Sequence, residues 1–271
     1  MCTQADGWFD ALRVSAERHG YRLVVLGWGE PWTGLSMKLR LMRDHLRGLP
    51  GDDLVCFVDA FDVVVLIDAA DLAVRYARLA PAGQVVLAVE NPLRQPIVGF
   101  VKDAVFGRCG NAPLNIGAYM GPAAAVGRFL DIVRDDDDAT DDQKALQRAC
   151  PRLRGVVVVD DLGDLFFHAT CKDHNVTGYL SGGCPFGLGR GPVLINPHTG
   201  RPPGVLHAPG GLSLNPVCDL LDLPRGQRPQ RLRWIARNFW RELLASVLLL
   251  AAVLWLTRRA VASVGAHQSG S

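Results

Sequence analysis

The chain has 271 residues, 49% of them apolar and 21% charged, with a net charge of +2. That composition excludes a disordered or fibrous protein and leaves room for one large domain or two small ones, with extra apolar material attached. The small net charge hides an asymmetry: six arginines fall between Arg225 and Arg241 beside an apolar segment, so this basic stretch reads as a membrane flank and not as a nucleic-acid surface.

In chain order, residues 8–19 have the spacing of an amphipathic helix, and Gly20 stops it. Residues 21–26 read as a strand, and 36–46 as a second helix with Ser36 as its candidate N-cap. Residues 54–58, Leu-Val-Cys-Phe-Val, form an apolar run that ends directly on Asp59 and Asp62. This is the pattern of a central parallel strand whose carboxyl end opens onto a site. Residues 63–67 continue extended and 69–79 are helical. A second buried strand, 84–89, ends on Glu90 and Asn91. Residues 114–120 follow as a strand, and 122–133 as a helix with proline in its first turn. An acidic stretch from Asp135 to Asp142 precedes a helix over 143–149. Strands are expected at 156–159 and 165–167, and glycine- and proline-rich loops with short strands over 181–211. The alternation of strands and helices predicts an α/β fold with a mostly parallel sheet flanked by helices.

The tail is a separate matter. Residues 239–257 are 19 in number, roughly 28 Å as a helix at ~1.5 Å per residue, close to the ~30 Å of a bilayer core. Trp234, Trp240 and Trp255 are placed as interfacial anchors, and Arg258 and Arg259 close the far end. The alternative is a buried C-terminal helix. The expected organisation is a catalytic domain over 1–223, a basic linker over 224–238, a single transmembrane anchor over 239–257 and a short tail over 258–271. More arginines before the anchor than after it predict a cytosolic domain. Residues 1–10 are polar and acidic, without the apolar core of a signal peptide. Seven scattered cysteines without a C-x-x-C spacing argue against a zinc site and are compatible with a reducing compartment.

Asp59 and Asp62 suit a hard divalent cation, which usually partners a phosphate. The alternative is that Asp62 caps the following turn while Asp59 is solvated. Further along the chain, other segments fall into a familiar order. Leu26-Gly27-Trp28-Gly29-Glu30-Pro31-Trp32, Lys38, Phe57-Val58-Asp59-Ala60-Phe61-Asp62, Leu114-Asn115-Ile116-Gly117-Ala118, Asp141-Asp142-Gln143 and Leu206-His207 run in sequence. Together they resemble the glycosyltransferase domain of multifunctional procollagen-lysine hydroxylases and related viral glycosyltransferases.

The resemblance implies a GT-A fold, a manganese ion, a UDP-sugar donor and transfer with retention to a hydroxyl acceptor, such as hydroxylysine-linked sugar on a collagen-like protein. It implies metal ligation by Asp59, Asp62 and His207, although a lone histidine is often structural. Phe61 replaces the family's tyrosine and would stack on the uracil or pack in the core. Lys38 would meet a phosphate or lie on a helix face. Asn115 and Glu90 stand at ends of expected strands where they would bind sugar hydroxyls, though Glu90-Asn91-Pro92 also fits a turn, and Gly117 of the same Leu-Asn-Ile-Gly-Ala segment would line the donor site. Asp141 and Asp142 would stabilise charge at the sugar carbon or orient the acceptor, or simply begin a helix. Residues 208–211 depart from the family's glycine-rich loop. The family's first strand, which contacts the uridine, has only its end here, with Thr3 as a residual contact. Loss of that strand leaves a second reading, a membrane-tethered binding protein that keeps the fold without the activity. A phosphohydrolase would want a denser cluster of carboxylates and histidines.

Overall fold

The computed structural model describes residues 1–89, 114–134, 137–138, 140–169, 194–196, 198–209, 213–227 and Trp255. The chain divides into two units, Met1–Pro229 and Gln230–Ser271, and everything below concerns the first. No helix among the described residues is long and apolar enough to cross a membrane. The proposed anchor over 239–257 lies outside the described residues apart from Trp255.

The elements begin with α1 (Phe9–Arg18), α2 (Met37–Leu46), β1 (Leu54–Val58), β2 (Val63–Val65) and α3 (Ala69–Leu79). They continue with β3 (Val85–Val89), β4 (Leu114–Pro122), α4 (Ala123–Val133) and α5 (Asp142–Ala149). Strands β5 (Val157–Val159), β6 (Phe166–His168) and β7 (Val205–His207) precede α6 (Asn215–Leu220). One sheet has the order β1-β4-β3-β5 and the other β2-β7-β6.

The mostly parallel sheet expected from the alternation of elements is corrected to a mixed one. β4 runs antiparallel to both β1 and β3, whereas β3 and β5, and β6 and β7, are parallel. Hydrophobic pattern reports burial on both faces but carries no strand direction, and β4 enters between its neighbours from the opposite end. Residues 21–26 form no ladder either. Among the described residues their backbone bonds lie at the ends, Tyr21 N–H to the Ala16 carbonyl and Cys2 N–H to the Leu26 carbonyl.

The larger sheet is covered on both faces. On one, Leu87, Ile116 and Tyr119 pack with Leu39 and Met42 of α2, Phe129 and Leu130 of α4, and Leu146 of α5. On the other, Val86, Ala88, Ala118 and Met120 meet Leu12 of α1 and Leu72 and Tyr76 of α3. Alternate residues of β3 and β4 thus serve opposite cores, which is why both strands read as continuous apolar runs. Burial of each such large side chain contributes about 1.5–3 kcal/mol. A third cluster joins Trp8, which precedes α1, with Val64, Phe167 and Leu206 of the smaller sheet and Val217 of α6.

The chain start lies between two extended segments. The Met1 ammonium donates to the Val58 carbonyl at 3.4 Å, and Cys2 N–H to the Leu26 carbonyl at 3.1 Å. Beside them a cavity of about 460 Å³ is lined by residues 20–26 on one side and all of β1 on the other. The start of β6 is fixed by the buried Asp160, whose carboxylate accepts N–H bonds from Asp164, Leu165 and Phe166 at 2.8–2.9 Å. Asp164 in turn pairs with Arg75 and Arg201.

Candidate active site

Strand β1 delivers Asp59. Its N–H donates to the Gly117 carbonyl at 2.8 Å, one step beyond the Val58↔Ala118 pair that ends the ladder. On the other edge of β4 the register with β3 shifts: Leu87 pairs with Tyr119, but Ala88 pairs with Asn115. Residues 116–118 are therefore out of the β3 ladder, a bulge of the kind that re-aims side chains beside a site. The side-chain amide of Gln143, from α5, takes over the backbone groups exposed there. Its oxygen accepts from Ile116 N–H at 3.1 Å and its nitrogen donates to the Leu114 carbonyl. Asn115 Oδ1 accepts from Gly117 N–H at 2.7 Å.

The bulge converges on Gly117. A Cβ there would stand 2.6 Å from Asp59 Oδ2, 2.7 Å from His207 Cε1 and 2.8 Å from Asn115 Oδ1. Only a bare Cα fits among them. His207 arrives because β7 pairs with β2 in the register Val63↔His207. That pairing sets its ring beside the preceding residue, Asp62, with Nε2 3.2 Å from Asp62 Oδ1. Burial pulls the His207 pKa down, but the Asp62 and Asp59 carboxylates together outweigh it and the net shift is upward.

Lys38 sits in the first turn of α2, buried, with its ammonium 3.0 Å from Asp59 Oδ1 and 2.6 Å from Asp142 Oδ2. It also lies 5.9 Å from the centre of the Phe57 ring, which stacks on Tyr119 at 4.8 Å. One cation thus serves two carboxylates of different fate. Burial raises the pKa of Asp142 and Lys38 does not cancel it. At Asp59 burial also pushes upward, but Lys38 and His207 together win and the net shift is downward. The side chains explain the difference: Asp59 is 32% exposed and Asp142 only 7%.

The remaining candidates separate cleanly. Asp141 is the N-cap of α5: its Oδ1 accepts from Gln143 N–H at 2.9 Å and Lys144 N–H at 3.1 Å. It serves there as a helix cap, which is the alternative that the sequence left beside a part in the chemistry. Phe61 is half-buried against the core on the α1–α3 face, and its carbonyl accepts from Trp8 N–H at 2.8 Å, so it packs. Thr3 offers its carbonyl to Gly29 N–H at 2.9 Å. Ser36 makes no side-chain cap bond, its hydroxyl reaching instead to the Thr140 carbonyl. Lys38 is buried and pairs with two carboxylates, which sets aside the exposed helix face that was the alternative to a phosphate partner. Glu90 lies outside the described residues. The structure therefore unites Lys38, Asp59, Asp62, Asn115, Gly117, Asp142 and His207. Sequence reasoning missed two contributors, Gln143 as a strand surrogate and His168, whose Nε2 is 3.1 Å from His207 Nδ1.

The family model of the PLOD GT domain, the glycosyltransferase domain of procollagen-lysine hydroxylases, matches residues 1–148. The chain belongs to that family. The PLOD GT domain match takes in the Lys38, Asp59, Asn115 and Asp142 segments and ends before β5, so the places of His168 and His207 rest on geometry. Among curated proteins none matches the chain. Among the described residues no three His, Cys, Asp or Glu side chains form a ready-made metal site. Asp59 faces the Lys38 ammonium, and Asp62 faces His207.

Proposed function

We propose that the chain is a manganese-dependent glycosyltransferase moving a hexose from UDP-glucose or UDP-galactose to a hydroxyl acceptor with retention. Membership of the PLOD GT domain family supports sugar transfer. The observation that carries the finer reading is the convergence of Asp59, Asn115 and His207 on the bare Cα of Gly117, with Asp62 against His207. Two carboxylates and an imidazole are a fitting donor set for Mn²⁺. Asp59, Asp62 and His207 would hold the ion, which when bound supplies charge neutralisation for the departing diphosphate.

The chain's own groups do the rest. Lys38 bridges Asp59 and Asp142 and offsets part of their mutual repulsion. Asn115, held by its bond from Gly117 N–H, presents its amide to a sugar hydroxyl. Asp142 would stabilise an oxocarbenium-like sugar or orient the acceptor. Family resemblance favours hydroxylysine-linked sugar on a collagen-like protein as acceptor.

The second reading, an inactive binding protein on the same fold, draws on one observation. Lys38 already bonds both Asp59 and Asp142, and Asp62 faces His207, so each carboxylate of the site has a partner without an added ion. UDP-sugar hydrolysis in the presence of Mn²⁺ decides between them. Wild type is expected to turn over and Asp62→Ala to lose about 100-fold or more, in line with loss of a directly stabilising group. A folded wild type without activity sinks the enzyme reading, and an unaffected Asp62→Ala removes that residue from the metal site.

The segment over 239–257 is proposed as a membrane anchor, with the catalytic domain on the cytosolic side. In alkaline carbonate the full chain should stay with membranes and a chain ending at residue 236 should be released. Retention of the shortened chain refutes the anchor.

A further inference from the structure

Strands β6 and β7 run parallel with His168 beside His207, so two imidazoles end adjacent strands in the same core. Their rings meet edge-on, 4.5 Å between centroids at 81°, and both residues are at most 2% exposed. His168 Nε2 stands 3.1 Å from His207 Nδ1, while the other His207 nitrogen, Nε2, faces Asp62. A bond between two imidazole nitrogens takes one donor and one acceptor, so each ring dictates the proton position of the other.

We propose that His168 is a positioning residue that accepts the Nδ1–H of His207 and so leaves the Nε2 lone pair of His207 to a divalent cation shared with Asp62 and Asp59. This rests on the metal reading of those three residues. A metal-bound histidine needs an acceptor behind its second nitrogen to fix tautomer and ring plane, a part commonly taken by a carboxylate or a carbonyl. Here a neutral imidazole with its own proton on Nδ1 takes that place. The backbone holds the geometry from both sides. Ala169 N–H donates to the His207 carbonyl and Ala208 N–H to the Asp62 carbonyl, each at 2.8 Å. Upstream, Asp160 pins the first residue of β6. The backbone that carries His168 therefore cannot move away from His207 without breaking these bonds.

Mn²⁺ affinity, read by electron paramagnetic resonance on the full chain, tests the inference, with thermal melting as a control for folding. His168→Leu removes the acceptor and is expected to weaken binding 10- to 100-fold, the usual cost of losing such a partner. His168→Gln restores an acceptor oxygen and is expected to stay within about threefold of wild type on the same grounds. Equal affinity for His168→Leu and wild type overturns the proposal. So does an equal loss in both variants at unchanged melting temperature, since packing alone would then account for His168. If His168→Leu does not fold, His168→Gln decides, with retained affinity supporting the acceptor role and a loss beyond 10-fold rejecting it. A wild type that binds Mn²⁺ no better than Asp62→Ala removes the metal reading, and this inference with it. A wild type that binds while His168 variants are indifferent removes the inference alone.

Discussion

Gly117→Ala is expected to lower UDP-sugar turnover by about 100-fold, the scale of effect that a misplacement near 1 Å produces, and to cost about 1–3 kcal/mol of stability as an overpacked site does. The cause is steric alone. Gly117 is not among the residues with positive φ, so alanine meets no backbone penalty. Its methyl group meets Asp59 Oδ2, His207 Cε1 and Asn115 Oδ1, all within 2.8 Å. None of the three can yield freely, because each is tied to another group: Asp59 to Lys38, His207 to Asp62 and His168, and Asn115 to the backbone of Gly117 itself. Gly127 supplies the control. It lies within α4 and an added Cβ there touches nothing within 4 Å, so Gly127→Ala should leave turnover intact and stabilise by roughly 0.5–1 kcal/mol. Full activity in Gly117→Ala, checked by turnover and thermal melting, would remove this crowding as the reason for the glycine.

Lys38→Met should be the most destabilising single change in the site, by about 3–5 kcal/mol at neutral pH, the cost of leaving a buried charge without its partner. Methionine keeps most of the stem volume, so packing against Phe57 survives and the loss isolates the charge. What remains is Asp142 without its cation and Asp59 with His207 and the Met1 ammonium nearby. The pH dependence follows with a definite sign. In wild type the depressed pKa of Asp59 contributes stability above the unfolded carboxylate value, and this is lost as pH falls through the folded one. In Lys38→Met that depression goes and the already raised Asp142 pKa rises further. The folded variant then takes up protons more readily than its unfolded chain, and its deficit against wild type shrinks as the pH is lowered. Denaturant unfolding at several pH values checks this. A deficit that is constant with pH would show that the ammonium matters for packing and not for charge. Adding Asp142→Leu to Lys38→Met should recover much of the loss, since replacing both members of a buried pair by apolar groups is often neutral.

The sequence made much of this molecule readable where one physical cause dominated. β3 and β4 were visible because both of their faces are buried, and α1 through α3 because each presents one apolar stripe to the sheet. Residues 21–26 carry the same kind of signal, yet form no ladder, because a strand is a pairing and not a property of one segment. The direction of β4 was hidden for a related reason: apolar runs look alike read in either sense. In the site, Asp59 and Asp62 were legible as acid after an apolar strand. His168 closes the run Phe166-Phe167 in the same manner and could have been found by the same rule. Asp141 and Asp142 could not be told apart, since adjacent identical residues become a cap and a buried ion pair only when helix phase assigns them. Gln143 was invisible as a strand surrogate because the register shift it compensates is a long-range event.

The cavity between residues 20–26 and β1 gives this fold a mechanical character. Protein interiors are normally packed to the density of organic crystals, whereas this cavity of about 460 Å³ is partly open to solvent beside the strand that carries Asp59. Four of the five residues of β1 are only partly buried or exposed. The strand that ends at Asp59 therefore has fewer packed neighbours to hold it than β3 or β4, and such segments are the ones that open locally at low cost. Motion should reach the carboxylate side of the site before it reaches the side built on β6 and β7.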